Sequence, residues 1–217
     1  MPDVRRIAAG TVVAVVCLVG ISSCEGDDGH APATVPSETS TPLTELSTDT
    51  LVVRRESFCS AVDADRVEEA LGGPPDASSA YDNGEPARLT TEVRDVVHEF
   101  GCAWRRADGV EARAWVFAPP VTLDRARAVA RDADAARGCS AVPEAPAFGR
   151  PSAAVVCRVD AALEASYRGL FGDAWLSCSL TVPGAGADQA ELMDRSGRWC
   201  AAVAIAASDT TGEPAAE

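Results

Sequence analysis

The sequence predicts an α+β domain with a largely antiparallel sheet, its elements following the order α-β-β-α-β-β-β-α. Three observations support this class. Apolar residues recur at helical spacing in three segments, turn dipeptides separate pairs of strand-forming runs, and six cysteines of an exported chain fit three disulfides. We expect this disulfide-bonded domain to span residues 56–208 as two loosely similar halves, each a hairpin beside helices, with residues 209–217 as a tail.

The first helix is predicted to begin after Asp63, whose carboxylate can cap the free amides of the first turn. Its apolar stripe consists of Val67, Ala70 and Leu71. Gly72 is the expected stop, because glycine readily adopts the left-handed conformation that ends helices. Residues 76–92 are rich in turn-forming residues and are predicted to be a surface loop.

A hairpin is predicted where Asp108-Gly109 separates the strand-forming runs 96–106 and 110–118. A two-residue turn sets the register of the two strands. The facing pairs are then Phe100 with Phe117, Cys102 with Trp115, and Trp104 with Arg113. Because these side chains are bulky, we expect this side of the hairpin to face the core.

The second half of the domain begins with a helix from Thr122 to about Gly138 and continues with a strand over 153–159. A second hairpin over 165–182 turns at Gly172-Asp173. Its register places one set of residues on a common face: Tyr167, Phe171, Leu176, Cys178, Leu180 and Val182. The last helix is predicted to start at Asp188, which forms a capping box with Glu191.

The same register places Leu170 opposite Trp175, on the face of the hairpin away from Leu176. Exposed, this pair would form an apolar patch of the kind that contacts an envelope protein or a cell-wall partner. The alternative is that a loop or a helix covers the pair. We therefore treat Leu170 and Trp175 as a candidate partner patch.

The first 23 residues have the features of a signal peptide. Two arginines precede an apolar run over 7–20, which is too short to span a bilayer. Residues 21–24, Ile-Ser-Ser-Cys, resemble the lipobox of bacterial lipoproteins, in which the cysteine is acylated and the chain is cut just before it. We expect Cys24 to anchor the protein to the outer face of the cell membrane. The alternative is an ordinary secretory signal with an incidental cysteine.

Residues 24–55 are predicted to be the lipidated N-terminus and a disordered tether. The segment is rich in Ser, Thr and Pro, and it contains no sustained apolar period. Such a composition buries too little apolar surface to offset the entropy lost on ordering.

The cysteines downstream of the tether predict three disulfides. The spacing suggests the pairs Cys59–Cys102, Cys139–Cys157 and Cys178–Cys200, among fifteen connectivities that six cysteines allow. A structural zinc site needs closely spaced cysteine pairs, which this chain lacks. We predict neither a metal nor a cofactor.

Charge and composition exclude several classes of function. The chain has a net charge of −14, so polyanionic nucleic acid would be repelled and is not an expected partner. The chain contains no lysine, which excludes Schiff-base lysines and Walker-A phosphate loops. His98 is the only histidine in the predicted domain, and no nucleophile motif accompanies it. We therefore predict no catalytic residue and no enzyme activity.

Together these features resemble a family of actinobacterial envelope lipoproteins without an assigned activity. The resemblance rests on the lipobox, the Ser/Thr/Pro tether, Phe58-Cys59 before a helix ending in Leu71-Gly72, and Cys102-Ala103-Trp104 on a strand. It implies an extracytoplasmic, disulfide-bonded α+β domain and transfers no catalytic residue.

We expect a non-enzymatic binding or interaction module in the cell envelope. A carrier of a lipid or another small apolar ligand is the alternative, which a large apolar cavity would favour. A hydrolase is the third hypothesis, and it would require His98 beside a buried carboxylate in a cleft.

Overall fold

The computed structural model describes residues 40–88, 94–184 and 187–208, and the predicted α+β class is confirmed. The predicted signal peptide, Cys24 and the tail 209–217 lie outside these residues. The helices are α1 (Ala64–Leu71), α2 (Leu123–Asp134) and α3 (Gln189–Ala206). The strands are β1 (Ala77–Tyr81), β2 (Pro86–Arg88), β3 (Arg94–Val96), β4 (Glu99–Arg105), β5 (Glu111–Phe117), β6 (Cys139–Ala141), β7 (Ser152–Val159), β8 (Ala162–Phe171) and β9 (Ala174–Pro183).

Seven strands form one antiparallel sheet in the order β1-β4-β5-β9-β8-β7-β6, and β2 and β3 form a separate two-stranded ribbon. The predicted loop 76–92 is thus partly wrong, because Ala77–Tyr81 pairs with β4 at the sheet edge. Exposed small and polar residues fill this strand, so its sequence shows no apolar alternation that would have revealed it.

Side-chain caps start the three helices at the predicted residues. Asp63 accepts a hydrogen bond from the amide of Asp65, and Thr122 accepts one from the amide of Arg125. Asp188 accepts from the amides of both Ala190 and Glu191. Caps are local interactions, so the sequence alone identifies them.

Helix ends are also set by local conformation. Gly72 ends α1 in the left-handed conformation, as predicted. Helix α2 ends at Asp134, earlier than the predicted Gly138, which instead has a φ of +79° in the turn that leads to β6.

Helices cover both faces of the large sheet. Helices α1 and α3 pack on one face, where the buried residues include Cys102, Val116 and Leu176. Helix α2 packs on the other face through its alanine stripe, whose buried members are Ala126, Ala130 and Ala133. The domain therefore has three layers, and each face of the sheet is a core face.

The predicted register of the first hairpin is wrong by one residue. Cys102 lies opposite Ala114 and Trp104 opposite Ala112, whereas Trp115 and Phe117 point to the α2 face. The turn has three residues rather than two, since Arg106 and Val110 are the last bonded pair and Gly109 has a φ of +92°. A third residue in the turn shifts the strand pairing by one position. The side chains of β5 that were expected on the face of Cys102 then lie on the opposite face of the sheet.

The register of the second hairpin is confirmed. Tyr167 lies opposite Cys178, Phe171 opposite Ala174, and Leu170 opposite Trp175. The two-residue turn at Gly172-Asp173, in which Gly172 has a φ of +64°, sets this register.

The predicted start of the folded domain at residue 56 is too late, because residues 40–55 pack on the domain. Leu43, Thr48 and Val53 are buried, and Val53 forms a β-bridge with Ser208 at the end of α3. A short 3₁₀ turn, Leu43–Glu45, lies against α3. A few well-spaced apolar residues can dock on an existing core even where the average composition predicts a tether.

The three disulfides pair the cysteines as predicted: Cys59–Cys102, Cys139–Cys157 and Cys178–Cys200. They close sequence separations of 43, 18 and 22 residues. In the chain-entropy description each bridge stabilises the fold by about 3–4 kcal/mol. Three such bonds indicate that the domain lives in an oxidising, extracytoplasmic environment.

Candidate functional site

The predicted partner patch is wrong as an exposed surface. Leu170 and Trp175 do face each other across β8 and β9, but they are only 6% and 3% exposed. Both belong to the apolar cluster that includes the alanine stripe of α2. The alternative interpretation, that a helix covers the pair, is the one the structure supports.

His98 lies between β3 and β4 with an exposed side chain. Its backbone carbonyl accepts a hydrogen bond from the amide of Ala118 at 2.9 Å, which makes it part of the strand ladder. The His98 side chain lines neither of two pockets beside α3 nor a smaller pocket near Trp104.

A half-open apolar pocket of about 430 Å³ lies beside the first half of α3, and we name it the Tyr167 pocket. Its apolar lining comes from four distant parts of the chain: Leu43 of the N-terminal segment, Val142 and Ala145 of the β6–β7 loop, Val156 and Tyr167 of the sheet, and Met193 of α3. This volume falls within the range of small-molecule sites. Its lining is more apolar than that of a pocket of about 520 Å³ on another side of α3 or of a pocket of about 200 Å³ near Trp104.

Local sequence explains why these residues meet. Alternation along β7 and β8 turns Val156 and Tyr167 to the α3 side of the sheet, where Tyr167 contacts Phe148 edge to face. Gly197 of α3 faces the same space, where a Cβ would make ordinary van der Waals contacts with the Tyr167 hydroxyl at 3.5 Å and with Leu43 at 3.6 Å. The pocket is the space left between helix, sheet and N-terminal segment.

The Tyr167 hydroxyl is a polar group at the edge of this apolar space. Burial raises the pKa of Tyr167 to about 12, and the nearby negative charge of Asp194 adds to the shift. The phenol is therefore neutral at physiological pH. Among the residues described, its hydroxyl has no hydrogen-bond partner, so it is available to a ligand.

Carboxylates mark the rim of the Tyr167 pocket. Glu144 and Asp194 both line it, and its lining includes no arginine. Asp194 forms an ion pair with Arg198, which also binds Glu69 at 2.8 Å. Glu69 accepts a further hydrogen bond from Ser40 at 2.7 Å, which ties the N-terminal segment to α1. The rim is thus held by polar contacts and has a negative character.

The sequence did not predict this site, because its lining residues are far apart in the sequence and belong to no recognisable motif. The only local indication is the placement of Tyr167 on the core face, which the hairpin register predicted. Leu43 was assigned to the tether and Val142 to a loop, so nothing in the sequence brought them together.

The chain matches no family model, and no curated protein matches its sequence. The resemblance to the actinobacterial envelope lipoproteins therefore remains a prediction from short motifs. Within the described ranges, no helix is long and apolar enough to cross a membrane.

Proposed function

We propose that this protein is a non-enzymatic, lipid-anchored binding module of the cell envelope that holds a small apolar ligand in the Tyr167 pocket. The observation that carries the proposal is the pocket itself, a preformed apolar space with one hydroxyl at its edge, that of Tyr167, which has no hydrogen-bond partner among the described residues. Burial of Leu170 and Trp175 removes the surface that favoured a protein or wall partner. This shifts the balance toward the carrier form of the binding hypothesis.

The lining indicates the chemistry of the ligand. Apolar walls favour a hydrocarbon or aromatic body, and the rim carboxylate of Glu144, which has no ion pair in the described structure, favours a positively charged or hydrogen-bond-donating end. An anionic head group would meet the Glu144 carboxylate, whereas Arg198 beside the rim is already paired with Asp194 and Glu69. We therefore infer an amphipathic ligand with a cationic or neutral donor group.

The location of this module rests on the disulfides and on the N-terminal sequence. The disulfides support an oxidising compartment. The lipobox-like residues 21–24 support acylation of Cys24, which would hold the domain at the membrane. The domain can thus work close to the membrane surface, where apolar ligands are concentrated.

Octylamine is a suitable probe for the Tyr167 pocket. The experiment uses the full exported chain carrying Cys24→Ala, because the lipidated protein would form micelles. We expect this chain to bind octylamine with a Kd below about 1 mM, since each buried methylene contributes about 0.8 kcal/mol. Ala190→Trp, at the exposed pocket mouth on the first turn of α3, should weaken binding at least about tenfold by filling the entrance. Isothermal titration calorimetry measures both affinities.

The matched control is Ala136→Trp, which adds the same ring at an exposed alanine after α2, on the opposite side of the sheet. This variant should bind octylamine like the unsubstituted protein. Equal loss in both tryptophan variants, or no octylamine binding by the unsubstituted chain, would contradict the proposal.

A further inference from the structure

A second pocket of about 520 Å³ lies along α3 on the side of Glu191, Leu192 and Arg195, and we name it the Arg195 pocket. The two pockets lie on different faces of α3, because helical spacing turns Ala190, Met193 and Asp194 toward the Tyr167 pocket. Unlike the Tyr167 pocket, it is lined by two arginines, Arg106 and Arg195.

Arg195 is unusual among the described arginines because it is half-buried without an ion pair or a hydrogen bond. Its Nε is buried and has no hydrogen-bond partner within the described part of the chain. Burial lowers the pKa of the Arg195 guanidinium; the Glu191 carboxylate opposes this shift, and the positive charges of Arg198 and Arg106 add to it. A guanidinium remains protonated at physiological pH. An unpaired, partly desolvated cation thus faces a pocket.

Three of the other charged residues of the pocket, Arg106, Asp108 and Asp188, already have partners. Arg106 donates hydrogen bonds to the carbonyls of Leu71 and Gly72 and forms an ion pair with Asp108 at 3.0 Å. Asp188 caps the first turn of α3. The Glu191 carboxylate interacts electrostatically with the Arg195 guanidinium, but the two groups form no ion pair within 4.0 Å in the described structure. Arg195 is therefore the group with capacity for a ligand.

We propose that the Arg195 pocket binds a monovalent amphipathic carboxylate, with its oxygens on the Arg195 guanidinium and its hydrocarbon body on the apolar wall. That wall consists of Leu71, Val110, Val182 and Leu192. A guanidinium fork matches a carboxylate in geometry. The lining also carries three carboxylates, whose repulsion of an anion grows with its charge, so a monovalent carboxylate is favoured over a dianion such as phosphate.

The test uses octanoate, octylamine and inorganic phosphate with the full exported chain carrying Cys24→Ala. We expect octanoate to bind, Arg195→Gln to weaken octanoate about tenfold or more, and Arg195→Lys to weaken it less because the charge remains. Octylamine binding should be unchanged by Arg195→Gln, because it reports on the Tyr167 pocket. Arg125→Gln, at an exposed arginine of α2, is the matched control and should bind octanoate normally.

A second readout keeps the test independent of the stability of the variants. In the chain with Arg195 intact, octanoate should shift the NMR methyl signals of Val110, Val182 and Leu192. Shifts confined to Val156 and Met193 of the Tyr167 pocket would overturn the proposal. The proposal would also be overturned if Arg195→Gln bound octanoate with an affinity within twofold of the unsubstituted protein. Phosphate that displaced octanoate as well as unlabelled octanoate does would overturn it too. These outcomes leave the proposed octylamine site unaffected, so the two proposals fail separately.

Discussion

Substitution of Cys24 by alanine is expected to move the protein from the membrane fraction to the soluble fraction. Two acyl chains on one cysteine would supply about 0.8 kcal/mol per buried CH₂ group, which makes detachment of the lipidated form negligible. Without the acyl chains, the protein's net charge of −14 would give it no electrostatic attraction to anionic lipid headgroups. Cell fractionation followed by detection of the intact chain measures the change.

Cys17→Ala is the control for this experiment, because Cys17 lies inside the apolar run of the predicted signal peptide. That variant should remain in the membrane fraction with an unchanged mass of the mature chain. Membrane association of Cys24→Ala equal to that of the unsubstituted protein would refute the anchor.

Substitution of Trp199 by alanine is expected to lower the free energy of unfolding by about 3–5 kcal/mol. Trp199 is 1% exposed, and its ring packs edge to face on Trp104 with centroids 5.4 Å apart. Its Nε1 donates a hydrogen bond to the Arg113 carbonyl at 3.2 Å, which fastens α3 to β5. Alanine would leave a large cavity between the helix and the sheet. Thermal unfolding of the oxidised protein should show a Tm lower by on the order of 10 °C.

Trp199→Phe separates packing from hydrogen bonding at this position. Phenylalanine keeps most of the ring contact with Trp104 and loses the bond to Arg113, so its cost should be much smaller than that of alanine. A loss below about 1 kcal/mol for Trp199→Ala would mean that α3 does not depend on this contact.

The parts of the fold that depend on local interactions were predictable from sequence. Asp63, Thr122 and Asp188 cap helices because a short polar side chain bonds to amides two or three residues ahead. The second hairpin was predictable because a two-residue turn links strand pairing directly to sequence position. The cysteine spacing also suggested the pairs that form, although Cys139–Cys157 joins two strands, β6 and β7, rather than a helix end and a strand.

The parts that depend on distant contacts were not predictable. Asp108-Gly109 is compatible with both a two-residue and a three-residue turn, and the choice exchanges the faces of Trp115 and its neighbours. Likewise, Leu170 and Trp175 were assigned the correct face of the sheet, but no local pattern indicates that α2 crosses that face. Burial of the second face is a property of the assembled three-layer fold.

The two pockets also depend on contacts between distant segments of the chain. Each combines one stretch of α3 with segments far away in sequence, such as Leu43 in one pocket and Leu71 in the other. Arg195 occupies an ordinary helical position in the sequence. Only the structure shows that its guanidinium is half-buried and without a hydrogen-bond partner in the described residues.

Native mass spectrometry of the exported Cys24→Ala chain, purified from the soluble extracytoplasmic fraction of its producing cell, shows whether the protein carries a ligand. We expect extra native mass from a small amphipathic ligand, which disappears on denaturation and is absent from Ala190→Trp. The denatured chain should also lie six hydrogens below its reduced mass, since three disulfides form. A native mass equal to that of the bare chain, with no mass gained when octylamine is added, would contradict the claim that this protein is a carrier of apolar ligands.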